Sequence, residues 1–194
     1  IHERLVGSEM CIRDRHKIVH DGAVLGHEIV AEILEINSDT KFKKGDRIVT
    51  SHHIPCGECN FCRHGNVSMC EHFKKTNIFP GGFSEKVFVS EEHLQNVAYL
   101  VPENMPDEEI SFYEPLGCCI RAIKRCALQK DDTALIVGLG SIGLLMGEGL
   151  KAMGYKIYGC DLIPERIELA KKMGIEPFDF SFEVDGVFIC LLYT

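Results

Sequence analysis

The chain has 194 residues, a formal net charge of −8 and a pI near 5.6, with 45% hydrophobic residues. That acidity argues against nucleic acid or an anionic membrane surface as a partner, and no apolar run approaches the roughly 20 residues of a transmembrane helix. The length suits one large domain or two small ones.

The termini stand apart. Met10-Cys11-Ile12-Arg13-Asp14-Arg15 and Cys190-Leu191-Leu192-Tyr193-Thr194 can be encoded by the two arms of one inverted repeat, and Leu5-Val6-Gly7-Ser8-Glu9 extends it. This resembles the mosaic-end adapter of transposon-made sequencing libraries. Residues 1–15 and 190–194 are therefore expected to be an adapter scar lying outside the natural fold.

After a polar stretch from His16 to Val24, Leu25 to Ile36 is apolar and β-rich and predicts a strand packed on both sides. Phe42 to Asp46 reads as a turn into a second strand, Arg47 to Ser51. Cys56, Cys59, Cys62 and Cys70 then follow in C-x2-C-x2-C-x7-C spacing. Thiolates so spaced on turns can converge on one tetrahedral ion, which reads as a closed structural zinc site. Unligated thiols, disulfides and an iron–sulfur cluster are the alternatives. The loop's few apolar residues (Phe61, Val67, Met69) cannot order it alone. A metal tetrad favours a reducing cytoplasm. Phe83 to Val89 alternates and predicts a strand, as does Val97 to Val101; several short strands with glycine turns suggest a small β-barrel.

The period changes at Asp107-Glu108-Glu109, an acidic start to a helical region through Ser111 to Leu128. Beyond Lys130-Asp131-Asp132 come a strand (Thr133 to Val137), a helix (Ser141 to Met153), a strand (Lys156 to Cys160), a helix (Ile163 to Met173) and a strand (Val184 to Ile189). Such alternation predicts a doubly wound parallel sheet. The boundary is expected within Cys118 to Ala127, giving domains 16–120 and 121–189.

Gly138-Leu139-Gly140-Ser141-Ile142-Gly143 is G-x-G-x-x-G between a strand and a helix, the context that makes it a dinucleotide fingerprint. Gly138 permits the turn, Gly140 the close approach of a pyrophosphate, and Gly143 the packing of helix on strand. Asp161 ends the next strand, where a carboxylate can accept from both ribose hydroxyls. Its charge beside a 2′-phosphate costs about 1–4 kcal/mol, so NAD is expected over NADP, with Arg166 offsetting part of the repulsion.

Gly26-His27-Glu28 sets an imidazole beside a carboxylate, and Glu114-Pro115-Leu116-Gly117 begins the linking helix. From the residues alone His27 reads as a satisfied core histidine ahead of a ligand. In order, Gly-His-Glu, the four-cysteine lobe, Gly-Gly-Phe-Ser-Glu, Glu-Pro-Leu and the glycine motif with Asp161 resemble the zinc-dependent medium-chain dehydrogenases. The sorbitol and threonine dehydrogenase branches are most similar, over residues 16–189.

The resemblance implies a GroES-like catalytic domain, a Rossmann domain, and a catalytic zinc in the cleft between them. By the same resemblance His27 is a ligand of that zinc, Glu28 a ligand or its immediate neighbour, and Glu114 the carboxylate facing it. Ile142 and Arg166 match positions that contact NAD. The implied reaction is hydride transfer between a secondary alcohol or polyol and NAD in a homo-oligomeric enzyme. A further zinc-ligating cysteine of the family has no counterpart here except Cys11, inside the suspected scar, so the 194-residue chain is expected to be inactive. A non-catalytic NAD- and zinc-binding protein is the alternative. Cys118, Cys119, Cys126 and Cys160 are expected to be buried or packing thiols. His52, His53, His64 and His72 are expected on surfaces or loops rather than as ligands.

Overall fold

The computed structural model describes residues 23–191; Cys11 and the whole N-terminal stretch 1–15 expected to be a scar lie outside them, as do residues 192–194. The chain separates between Glu114 and Pro115 into two compact units, N-terminal to the expected boundary.

In the unit ending at Glu114, strands β1 (Val30–Glu32), β2 (Arg47–Thr50) and β3 (Ala98–Leu100) form an antiparallel sheet in that order. The β1–β2 turn closes as expected: Gly45 takes φ +89°, its N–H donates to the Ile33 carbonyl, and Lys43 N–H donates to the Asp46 carboxylate at 2.9 Å. Ile33, Phe42, Ile48, Leu94 and Ala98 form the buried cluster of this unit. Arg47 ties the far side of the sheet to the segment before the linking helix, donating to the Met105 carbonyl at 2.8 Å and to the Asp107 carboxylate.

Two strand expectations are corrected here. The run from Leu25 to Ile36 contains only the three-residue β1, because its first part is bent at Gly26 (φ +90°). Phe83 to Val89 is not a strand: Phe83 and Phe88 are exposed, and the one ladder-like contact is the bridge between Phe79 and Phe88. Its backbone is committed elsewhere. Gly82 N–H and Phe83 N–H donate to the Gly26 and Leu25 carbonyls at 2.7 and 2.9 Å, and the Ser84 hydroxyl donates to the Gly81 carbonyl. A Cβ on Gly81 would lie 2.1 Å from the Val24 carbonyl oxygen and one on Gly82 2.8 Å from the Gly26 carbonyl carbon. Only a Gly-Gly pair lets this segment rest on the chain leading to His27.

Short helices α1 (Asn60–Arg63), α2 (Glu71–Lys75), α3 (Glu91–Asn96) and α4 (Asp107–Ile110) fill the connections. The helical region expected from Asp107 is divided into α4 and the long linking helix α5 (Tyr113–Cys126), whose first turn carries Glu114.

The unit from Pro115 onward carries β4 (Thr133–Val137), α6 (Ser141–Ala152), β5 (Lys156–Cys160), α7 (Pro164–Lys172), β6 (Glu176–Pro177) and β7 (Gly186–Ile189). All pairings are parallel, in the order β6-β5-β4-β7. Numbered within this sheet the order is 3-2-1-4, that of a Rossmann fold, and the direction of winding reverses beside β4. Ala134 and Ile136 are fully buried on β4, packed with Leu139, Leu150, Ile157, Ile175 and Phe188. Only β6 was not anticipated.

Thr133 and Asp185 clasp the starts of β4 and β7. The Asp185 carboxylate accepts from Thr133 N–H at 2.8 Å and from its hydroxyl at 2.7 Å. These donors, the backbone N–H first, hold the Asp185 carboxyl below its ordinary pKa of 3.8. Since the folded value is the lower one, the clasp is fully stabilising above pH 3.8 and is lost as pH falls through the folded pKa. In acid titrations followed by circular dichroism, Asp185→Asn is expected to flatten the loss of stability in that range while lowering stability at neutral pH.

Cys119 is buried and Cys160 half-buried, but Cys118 and Cys126 are exposed, against expectation. Both lie on α5, where the packed face is carried instead by Cys119 and Ile123.

Candidate metal centres and dinucleotide site

The four cysteines converge. Their sulfurs all lie within 4.8 Å of one another, all four are unbridged by disulfides, and Cys56 Sγ and Cys62 Sγ are 3.9 Å apart. A zinc–sulfur bond of about 2.3 Å places tetrahedral sulfurs about 3.8 Å apart, so the cage fits that ion. Local turns build it. Gly57 and Gly65 take positive φ, α1 carries Cys62 in its single turn, and a 3₁₀ turn at Val67–Met69 delivers Cys70. Cys56 N–H donates to Cys70 Sγ at 3.5 Å and Cys59 N–H to Cys56 Sγ at 3.4 Å, a pattern that favours thiolate. The Cys56 and Phe73 N–H groups push the Cys70 thiol down to about 6. Burial and thiol neighbours push Cys62 up to about 12, since four thiolates this close cannot ionise together without a cation. Phe61 and Met69 remain 42% and 49% exposed, so hydrophobic burial does little to order the loop.

A second group of donors joins residues distant in sequence: one ligand atom each of His27, His52 and Glu114 lies within 4.8 Å of the others. Glu28 is exposed and outside that group, although the sequence set it beside His27 as a possible ligand. Neighbours on extended chain project to opposite sides, and the turn at Gly26 precedes both residues. His52 takes part instead: it lies on a loop, as expected, but meets His27 and Glu114 there. Its side chain is 16% exposed, its ring centroid 4.2 Å from that of His27 and 4.0 Å from that of His53. Burial first, then the neighbouring His53, His27 and His93, push its pKa down to about 3. It is therefore neutral near pH 7, and its 3.4 Å approach to Glu114 is not an ion pair at that pH.

His53 is half-buried, its Nδ1 against the Thr76 carbonyl and its ring 4.7 Å from Phe73. His64 and His72 are the outward-facing pair, bonded to the Asn60 carbonyl and to Glu92. The signal for His52 in the sequence is its place two residues beyond the buried strand β2.

At the dinucleotide motif, Gly138 takes φ +96° and its N–H donates to the Cys160 carbonyl, joining the ends of β4 and β5. A Cβ on Gly143 would lie 1.9 Å from the Gly138 carbonyl oxygen, whereas one on Gly140 would meet nothing within 4 Å. The loop is thus closed against its helix at one glycine and open at the other, as a backbone cradle for a phosphate requires. Ile142 is 46% exposed in the first turn of α6.

Asp161 Oδ2 accepts from Leu139 N–H at 2.7 Å and Oδ1 from Ile163 N–H at 2.9 Å; Arg166 Nη1 stands 3.4 Å away. Burial alone would raise its pKa, but the Ile163 and Leu139 donors and Arg166 together hold it below the usual carboxylate value. The residue is an anion anchored to the glycine loop, and the donors fit a dinucleotide.

Residues 4–99 match the family described as Alcohol dehydrogenase GroES-like domain, a span that takes in most of the stretch 1–15. Over 161 residues the chain is 34% identical to sorbitol dehydrogenase of Bacillus subtilis, covering 81% of this chain and 44% of that protein. It is 34% identical over 154 residues to L-threonine 3-dehydrogenase of Alteromonas mediterranea, covering 78% and 44%. Among solved structures, alcohol dehydrogenase TADH from Thermus sp. ATN1 superposes with a TM-score of 0.71 at 27% identity, covering 89% of this chain and 52% of that one. The chain belongs to the zinc-type alcohol and polyol dehydrogenase family, with a GroES-like domain followed by a Rossmann-like one. It spans about half the length of the curated relatives it matches.

Proposed function

We propose that this chain is part of a zinc-dependent dehydrogenase that transfers hydride between a secondary alcohol or polyol and NAD. The observation that carries the reading is the meeting of His27 and Glu114, 87 positions apart, with donor atoms within 4.8 Å. These two donors would hold a divalent ion and leave it further positions for other ligands. Bound there, zinc supplies Lewis acidity toward an alcohol oxygen. His27 and Glu114 orient the ion, with Glu28 as the exposed neighbour of His27 adding negative charge nearby. The tetrad of Cys56, Cys59, Cys62 and Cys70 leaves no open position, so its zinc is structural.

The glycine loop and the start of α6 bind the pyrophosphate, with Ile142 and Arg166 flanking the adenosine end. Asp161 accepts from the ribose hydroxyls and disfavours a 2′-phosphate. Converting Asp161 to Asn is expected to reduce the preference for NADH over NADPH by about 1–4 kcal/mol, read as the ratio of the two dissociation constants. An unchanged ratio would remove Asp161 from cofactor choice.

The likeness to relatives named for sorbitol and threonine supports a small polyol or amino alcohol as the proposed substrate, acted on by a cytoplasmic homo-oligomer. The 194-residue chain alone, half the length of those relatives, is proposed to be inactive. Joined to the remaining half of a relative, it is expected to reduce NAD with sorbitol, threitol, threonine or butanediol. Zinc analysis accompanies the assay. Two ions per chain fit the enzyme; one ion with NAD binding and no turnover on any of these alcohols would establish a non-catalytic binder.

A further inference from the structure

His52 has no part in the reaction just described, yet it lies between the two residues that do. Its Nδ1 is buried and has no hydrogen-bond partner, the single such side-chain atom among the described residues. That nitrogen is 3.4 Å from Glu114 Oε1. Two lone pairs facing one another repel unless a proton or a cation lies between them. A shared proton requires N–H···O geometry, which this pair does not have. A cation requires a particular spacing. With zinc–nitrogen and zinc–oxygen bonds of about 2.0–2.2 Å at a tetrahedral angle, the donors stand about 3.4 Å apart, the separation found. His27 completes the group, its ring centroid 4.2 Å from that of His52.

We propose that His52 is a direct ligand, through Nδ1, of the same divalent ion as His27 and Glu114. The inference rests on the reading of an ion at His27 and Glu114 and assigns it a His-His-Glu set with the fourth position open; Glu28 is not a ligand. Two neutral imidazoles and one carboxylate leave the divalent ion a net positive charge, which a Lewis acid needs.

His52 is pre-set for this role. It lies two residues beyond β2, and the N–H of the intervening Ser51 donates to the Val97 carbonyl at 3.2 Å. The His52 carbonyl accepts from Nε2 of His93 at 3.1 Å. His93 is 2% exposed, and its Nδ1 is 2.7 Å from the Ser90 hydroxyl. Because Nε2 faces a carbonyl it must carry the proton, so Ser90 donates to Nδ1. His93 is therefore a positioning residue that fixes the backbone of His52.

The test uses the whole 194-residue chain, stripped of metal and titrated with Co²⁺. Thiolate-to-metal charge-transfer bands report the cysteine cage, and weaker visible bands report a nitrogen–oxygen site. The unsubstituted chain should take two ions. In His52→Ala the second ion's Kd should rise by more than the roughly 10–100-fold that loss of an outer-shell partner produces, with the charge-transfer bands unchanged. Circular dichroism of the same samples reports that the unit is folded. Glu28→Gln should still take two ions.

Nitrogen-15 NMR of the imidazoles in the unsubstituted, zinc-loaded chain gives a reading that needs no variant: His52 Nδ1 should shift with the second equivalent and Nε2 should not. Two ions in His52→Ala at unchanged affinity, or an unmoved Nδ1 resonance, would overturn the assignment of His52 alone. Loss of the second ion in Glu28→Gln but not in His52→Ala would transfer the role to Glu28. One ion in the unsubstituted chain would overturn both this inference and the catalytic ion it rests on.

Discussion

Replacing Cys70 with serine is expected to empty the cysteine cage and open the segment from Cys56 to Cys70. Cys70 is 1% exposed, accepts from the Cys56 N–H, and has its thiol lowered to about 6. Its thiol is thus lowered toward the thiolate that the ion needs. A serine oxygen is a poor partner for zinc in a thiolate cage, and a structural zinc of this kind contributes about 10–16 kcal/mol in small peptides. Little else orders the segment. Its helix is a single turn, and its two large apolar residues, Phe61 and Met69, stay substantially exposed. Zinc content should fall by one ion per chain, and limited proteolysis should cut between Gly57 and Asn66 in the variant but not in the parent. A chelator added to the parent should produce the same cleavage pattern. Full zinc content with an intact segment in Cys70→Ser would show that the cage is held by something other than its ion.

That segment was legible because its signal is local: four cysteines at turn spacing need only one another. The parallel sheet was legible for a related reason. Thr133 to Val137 is buried on both faces and reads as a continuous apolar run, and each helix that follows keeps its own period. What the sequence hid depends on contacts between distant residues. Phe83, Val87 and Val89 alternate like a strand, yet their segment is drawn onto Val24 to Gly26 by Gly81 and Gly82, and the Ser84 hydroxyl donates to the Lys86 carbonyl. Glu28 was attractive as a ligand because it adjoins His27, but adjacency in extended chain separates side chains. His52 reads as a loop histidine because only His53 near it in sequence touches it. Glu114, 62 positions on, and His93, 41 positions on, are what define its surroundings.

The glycines of the dinucleotide loop allow a paired experiment in which one methyl group tests folding and the other tests binding. In Gly143→Ala the added carbon would stand 1.9 Å from the Gly138 carbonyl oxygen and 3.0 Å from its carbon. Both are backbone atoms, so no side chain can swing away; either α6 moves off β4 or the turn at Gly138 reopens. Gly138 is held by its bond to the Cys160 carbonyl, and moving it also strains the Leu139 N–H bond to Asp161. Overpacking of this kind costs about 1–3 kcal/mol, and more where the backbone must yield, so a loss of at least about 3 kcal/mol is expected in thermal or urea unfolding.

Gly140→Ala should behave oppositely. Its backbone angles, φ −75° and ψ −169°, suit any residue, and the new methyl would meet no protein atom within 4 Å. Stability should change by no more than about 1 kcal/mol, the small effect expected where a helix-capping glycine becomes alanine. The methyl would instead occupy the space through which a pyrophosphate reaches the helix N-terminus, and NADH should bind at least tenfold more weakly, equivalent to about 1.4 kcal/mol. Calorimetric or fluorescence titration of both variants separates the two effects. If Gly140→Ala bound NADH as tightly as the parent, the open side of the loop would not be where the phosphates lie, and the assignment of the cradle would fail even though Gly143 remained essential to the fold.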